Sequence, residues 1–135
     1  AGARLYGGRW NHRGVPVVYT SESRSLATVE YLVHLSLPEV PSDLSMATLE
    51  VPNDIVPEEI DPSSLPKNWR DSPAPVELAD LGTEWARSKT SLLLRVPSAI
   101  VEHEHNILIN PAHEGMSRVK LVKVEAYKLA ERLMG

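Results

Sequence analysis

Residues 7 to 23 run Gly7-Gly8-Arg9-Trp10-Asn11-His12-Arg13-Gly14 and then, past Val15 and Pro16, Val17-Val18-Tyr19-Thr20-Ser21-Glu22-Ser23. Two guanidinium groups, two aromatic rings and several hydroxyls stand here beside flexible glycines, which is half of an anion-binding site. Arg9 follows two glycines, where backbone amides can approach an anion and the guanidinium can grip a phosphate bidentately. The loop is not of the Walker type, because the Gly-Lys-Ser/Thr ending is missing. A helical stretch follows, and one carboxylate, Glu30, interrupts its apolar face. The combination implies a pocket for a phosphate-bearing substrate, with positive charge developing near Glu30.

Each residue also has a plainer reading. Arg9 could be a solvated loop arginine. Tyr19, at the end of a strand, could stack on a planar ring or simply be half-buried in the core. Ser21 and Ser23 read first as turn or cap hydroxyls, although they could donate to a ligand. Burying Glu30 among Leu26, Val29 and Val33 costs free energy unless the carboxylate is paired or put to use, and pairing with His34 four residues on would be the ordinary solution. Ser98, after Arg95-Val96-Pro97, is either a hydroxyl held over a cleft or a turn cap; no Gly-x-Ser-x-Gly elbow makes it a hydrolase nucleophile. His103 and His105 lack a third ligand at a recognisable spacing, so a polar turn is expected there and no metal site.

These residues must be positioned by a small set of elements. Val15 to Thr20 reads as a strand with Pro16 at its start. Ser21 to Ser25 offers N-caps for a helix to about Leu35, ending near Pro38. On a helical wheel Glu30 lies about 40° from Leu26, at the edge of the apolar sector. Met46 to Val51 alternates as a strand that stops at Pro52. Pro57 to Pro75, rich in Pro, Asp and Ser, is expected to cross the surface with few regular hydrogen bonds. Val76 to Ser88 reads as a helix, with Leu78, Leu81 and Trp85 at spacings of three and four. Ser91 to Val96, Ile107 to Asn110 and Arg118 to Tyr127 have strand composition, the last with partial alternation of Val119 and Leu121 against Lys120 and Lys123. Strands at both ends with helices between them imply an α+β fold.

Composition narrows the function classes. At 135 residues, 42% hydrophobic and 24% charged, the chain fits one globular domain with a real core. It has no phenylalanine, so Leu, Val, Ile and Ala build that core, with Trp10, Trp69 and Trp85 as the largest pieces. The absence of cysteine excludes disulfides and thiolate metal sites and is compatible with a reducing cytosol. No apolar run approaches the roughly 20 residues that cross a bilayer, so a soluble, cytoplasmic protein with no membrane contact is expected. A net charge of −4 argues against a general nucleic-acid binder. Charge is uneven, however: Arg4, Arg9, Arg13 and Arg24 face only Glu22 in the first 24 residues, whereas Glu50, Asp54, Glu58, Glu59 and Asp61 have no basic neighbour between 50 and 61. A local basic site in an acidic protein suits a small anionic ligand.

Several separate blocks resemble the RES-domain toxins of bacterial toxin–antitoxin pairs. They are Gly8-Arg9-Trp10-Asn11 with Gly14, Pro16-Val17-Val18-Tyr19, Ala27-Thr28-Val29-Glu30-Tyr31-Leu32-Val33-His34-Leu35, Val96-Pro97-Ser98-Ala99-Ile100, and Asn106-Ile107-Leu108-Ile109-Asn110-Pro111-Ala112-His113. They stand in the family's order and the similarity covers nearly the whole chain, weakest over 52 to 75. The resemblance implies a single RES domain over 1–135 with a fold similar to the ADP-ribosyltransferases. It also implies an N-terminal strand, usually with an arginine, that would precede Ala1. Arg9, Glu30 and Ser98 match the name-giving catalytic residues, and Tyr19 matches the site tyrosine. Tyr19, Ser21 and Asn110 are expected to join Arg9 in substrate binding.

The implied activity is cleavage of the nicotinamide–ribose bond of NAD, which is substrate and not cofactor, with water, inorganic phosphate or a protein side chain as acceptor. The implied partner is an Xre-type helix-turn-helix antitoxin, through which alone the system meets DNA. This fits the residue chemistry, since a carboxylate stabilises the oxocarbenium-like ribose of such a cleavage. A protein-directed ADP-ribosyltransferase, or a nucleotide-binding module without turnover, would use the same residues.

Overall fold

Leu93–Pro97 (β4) and His105–Ile109 (β5) pair antiparallel through the middle of the main sheet, and their burial explains the rest of the architecture. Successive strand residues face opposite sides. Leu94, Val96 and Leu108 therefore enter one apolar cluster with Trp10, Val17, Leu78 and Trp85, while Leu93 and Ile109 enter another with Leu92. A strand buried on both faces carries apolar residues continuously instead of alternating them.

The computed structural model describes residues 7–33 and 44–127. In chain order the elements are β1 (Val18–Ser21), α1 (Arg24–Val33), β2 (Ser45–Glu50), β3 (Glu58–Glu59), α2 (Val76–Ser88), β4, β5 and β6 (Lys120–Ala126), with 3₁₀ turns at Pro62–Ser64 and Glu114–Arg118. The main sheet has the order β1-β5-β4-β3, antiparallel except for the β3–β4 pair, and β2 pairs with β6 in a separate antiparallel ribbon. The architecture is α+β in a single compact domain. No described helix is long and apolar enough to cross a membrane.

Helix α2 has the bounds that its sequence pattern predicts, and its buried face is built partly on a glycine. Leu78, Gly82, Trp85 and Ala86 are buried, whereas Leu81 is 38% exposed. The cause is Gly82: a Cβ there would lie 1.7 Å from the Trp10 carbonyl oxygen, so the helix rests its backbone directly on the Arg9 loop. Thr83 Oγ1 accepts the His12 amide at 2.8 Å on the same face.

Three other expectations change. The first strand begins at Val18, not Val15. Pro16 has no amide hydrogen, and the Val15 carbonyl is taken by Asn11 Nδ2 at 2.8 Å. The Pro57–Pro75 stretch is more ordered than its composition implies. Ile60 donates its amide to the Arg95 carbonyl at 3.0 Å, Asp61 caps the following turn, and Leu65 and Trp69 pack on the main cluster. The last strand begins at Lys120, because Glu114–Arg118 winds into a 3₁₀ turn capped by His113. Its expected alternation fails at Leu121, which is exposed like Lys120 and Lys123, where a bulge opposite Thr48 and Leu49 breaks the register. For α1, Leu35 to Pro38 and the expected His34 partner of Glu30 lie outside the described residues.

Candidate active site

Gly7, at φ 85°, opens a tight turn in which Gly8 and Asn11 exchange backbone hydrogen bonds. Arg9 projects from this turn and reaches residues 60 and 62 positions along the chain. Its Nη1 donates to the Trp69 carbonyl at 2.7 Å and its Nη2 to the Asp71 carbonyl at 3.0 Å. Burial lowers the pKa of the guanidinium, while Glu30, Tyr19 and Asp71 act in the opposite direction. An arginine stays protonated through such a shift. Arg9 is thus a fixed positive charge, held in orientation by neutral carbonyls that do not cancel it.

Glu30, partly buried on α1, accepts a hydrogen bond at Oε2 from Ser98 Oγ at 2.8 Å. Ser98 is 2% exposed, just past the end of β4, and its hydroxyl oxygen also accepts the amides of Ile100 and Val101, each at 3.1 Å. A serine hydroxyl has one proton and two acceptor lone pairs. Two amides occupy the lone pairs, so the proton is aimed at Glu30. The turn after β4 therefore fixes the serine, and the serine fixes the carboxylate, while Ser98 itself is not among the residues lining the cavity beside Glu30.

Arg9, Arg13, Tyr19, Ser21 and Glu30 line one cavity of about 1480 Å³, which extends from the Arg9 turn along α1 to β2. Typical pockets for drug-sized ligands are about 300–1,000 Å³. This one has room for an extended ligand, and its lining includes both a carboxylate and guanidinium groups. Arg13 is exposed and its side chain has no hydrogen-bond or ion-pair partner among the described residues.

The RES-domain profile matches residues 1–130. The chain belongs to the RES-domain toxin family. It is 40% identical over 136 residues to the "Prs ADP-ribosylating toxin" of a Sphingobium species, covering 99% of this chain and 84% of that one. It is 42% identical over 113 residues to "Toxin Res" of Yersinia enterocolitica, covering 84% of this chain and 74% of that protein. A "Toxin Res" of Pseudomonas putida is 34% identical over 128 residues, with 93% and 85% covered.

Arg9, Glu30 and Ser98, the residues expected from the resemblance to carry the site, come from three places in the fold: the turn before β1, the middle of α1 and the turn after β4. Of the other expected site residues, Tyr19 and Ser21 lie at the cavity wall on β1, with Ser21 Oγ accepting from Asn106 Nδ2 at 3.0 Å. Asn110 does not lie there. It is 1% exposed, donating to the Ala86 carbonyl at 2.9 Å and accepting the Ala112 amide at 3.1 Å, so its amide ties α2 to the end of β5 instead of meeting a ligand. Asn106, which the sequence reading did not single out, lines the cavity and also donates to the Thr20 carbonyl at 3.2 Å. An asparagine inside an apolar strand was the available signal. His103 sits in the turn before β5 at φ 68°, and His105 opens β5, so the two do not share a strand face.

Ser98→Ala removes the donor that orients Glu30. A hydrogen bond to a charged group contributes about 1.5–3 kcal/mol, so the turnover assigned below should fall about 10- to 100-fold in kcat with a smaller change in KM. Steady-state kinetics on the folded variant checks this.

Proposed function

We propose that this RES-domain chain acts as a toxin by cleaving the nicotinamide–ribose bond of NAD, with water or inorganic phosphate as acceptor. The observation that carries the reading is the Ser98-oriented carboxylate of Glu30 in a large cavity that also presents Arg9. The C–N bond breaks with its electron pair going to nicotinamide, which leaves as a neutral molecule, so no strong general acid is needed. Positive charge then develops at the ribose anomeric carbon, and a preorganised carboxylate stabilises it electrostatically. An oxygen of water or phosphate forms the new bond to that carbon, water losing its proton as it does so. The products are nicotinamide and ADP-ribose, or nicotinamide and its phosphorylated counterpart.

Arg9 supplies fixed charge for the diphosphate, and Arg13 supplies a second guanidinium at the exposed part of the wall. Tyr19 presents its ring beside the nicotinamide, and Ser21 contributes a hydroxyl. In this reading NAD is the substrate and no further cofactor takes part. The partner is an Xre-type helix-turn-helix antitoxin that covers the cavity and carries the contact with DNA, and the site of action is the cytoplasm, where the substrate pool lies.

A second reading has one specific support: a relative of 40% identity is named an ADP-ribosylating toxin. In that case the acceptor is a protein side chain and the chemistry at Glu30 is unchanged. Incubation with NAD, with phosphate present or omitted, followed by chromatography of the products and mass spectrometry of added proteins, distinguishes the acceptors. Free ADP-ribose identifies water, the phosphorylated form identifies phosphate, and a mass increment on protein identifies transfer. Binding of NAD with no nicotinamide released would contradict all three.

Arg13→Gln is expected to raise KM for NAD about tenfold, the loss of one charge-assisted hydrogen bond, with kcat nearly unchanged. Initial-rate kinetics at low and high salt checks it, since the wild-type advantage should shrink as salt rises.

A further inference from the structure

Asn11 is 1% exposed and has no role in the chemistry above, yet every polar atom of its side chain is used. Its Nδ2 donates to the Val15 carbonyl at 2.8 Å, which fixes the amide's orientation. Its Oδ1 must then face the Tyr19 hydroxyl, which donates to it. The Tyr19 oxygen in turn accepts the Trp10 amide at 3.1 Å. The direction of each bond follows from the one before: carbonyl, amide, phenol, backbone amide. Gly8 closes the other side, since a Cβ there would come within 2.7 Å of the Tyr19 hydroxyl and 3.1 Å of its ring.

We propose that Asn11 is a positioning residue that, with Gly8, locks the Tyr19 ring at the cavity wall. Tyr19 then acts as a fixed aromatic surface and not as a proton donor, because its one proton is held by Asn11. The inference rests on the NAD-cleavage reading, within which it assigns the phenol a packing role and excludes an acid role. It also accounts for the sequence of the turn: Gly8 makes room for the hydroxyl, Trp10 contributes its amide, and Asn11 contributes its side chain.

The test compares nicotinamide release and its pH profile for the wild type, Tyr19→Phe, Asn11→Ser, their double variant and Gly8→Ala. Gly8 is exposed, so its substitution disturbs the same hydroxyl without opening a buried hole. Each single variant should lose about tenfold in kcat/KM with the shape of the kcat–pH profile unchanged. The double variant should lose no more than either single one, because residues acting through one contact are non-additive. If Asn11→Ser fails to fold, Gly8→Ala paired with Tyr19→Phe completes the same cycle. A hundredfold fall in kcat for Tyr19→Phe with an altered pH profile, or losses that multiply in the double variant, would overturn the inference alone. No nicotinamide release from folded wild-type protein would overturn the NAD reading and the inference with it.

Discussion

Glu30→Gln should lower nicotinamide release from NAD by about 10³-fold, mostly in kcat, while the protein stays folded. Removing one preorganised electrostatic contact from a transition state typically costs about 10²–10³ in rate. In the proposed cleavage the lost group is the carboxylate set against the developing cation, so the upper end applies. The isosteric amide still accepts the Ser98 hydrogen bond, and Glu30 is only partly buried, so the substitution leaves no hole. Circular dichroism melts should therefore shift by only a few degrees while activity disappears. Glu30→Ala should lose as much activity and more stability, since Ser98 would be left buried with an unused proton. Wild-type turnover in either variant would remove the carboxylate from the mechanism.

Gly82→Ala is the second large effect, and its sign runs against helix propensity. In an exposed helix interior the change would stabilise by about 1 kcal/mol. In α2 the new Cβ would meet the Trp10 carbonyl oxygen at 1.7 Å and its carbon at 2.7 Å, both backbone atoms that cannot rotate aside. The helix must move off the Arg9 turn. That move would expose Trp10, now 3% accessible, and would break the bond from the His12 amide to Thr83. Overpacking of this kind costs about 3 kcal/mol or more, which for a chain of this size lowers Tm by roughly 10 °C. Activity should fall as well, because Arg9 and Asn11 ride on the displaced turn. A thermal melt at or above the wild-type Tm would show that the helix and the turn are not in contact.

Much of the frame was legible in local pattern. Helix α2 follows from the spacing of Leu78 and Trp85, and Glu30 stood out because a carboxylate at the edge of an apolar sector has a cost. What joins the site was not legible, because it depends on distant chain segments. The Ser98–Glu30 bond spans 68 positions, and Arg9 is held by carbonyls 60 and 62 positions away, which any residue type could provide. Asn110 shows the converse: its residue type suits ligand binding, but only the fold reveals that its amide is spent on Ala86 and Ala112. The spacing of Leu78, Leu81 and Trp85 does not show that Gly82 forms the close contact with the Arg9 turn while Leu81 is exposed. The two residues of β3 escaped because polar glutamates at a sheet edge carry no periodic signal.

In the proposed function an oriented carboxylate in this cavity drives loss of nicotinamide from NAD. The most direct measurement follows NAD and nicotinamide together by proton NMR in a solution of the purified, folded protein, with Glu30→Gln measured alongside. One nicotinamide is expected to form per NAD consumed by the wild type, and none above background in the variant. Intact NAD in the wild-type sample, or equal release by both proteins, would contradict that function.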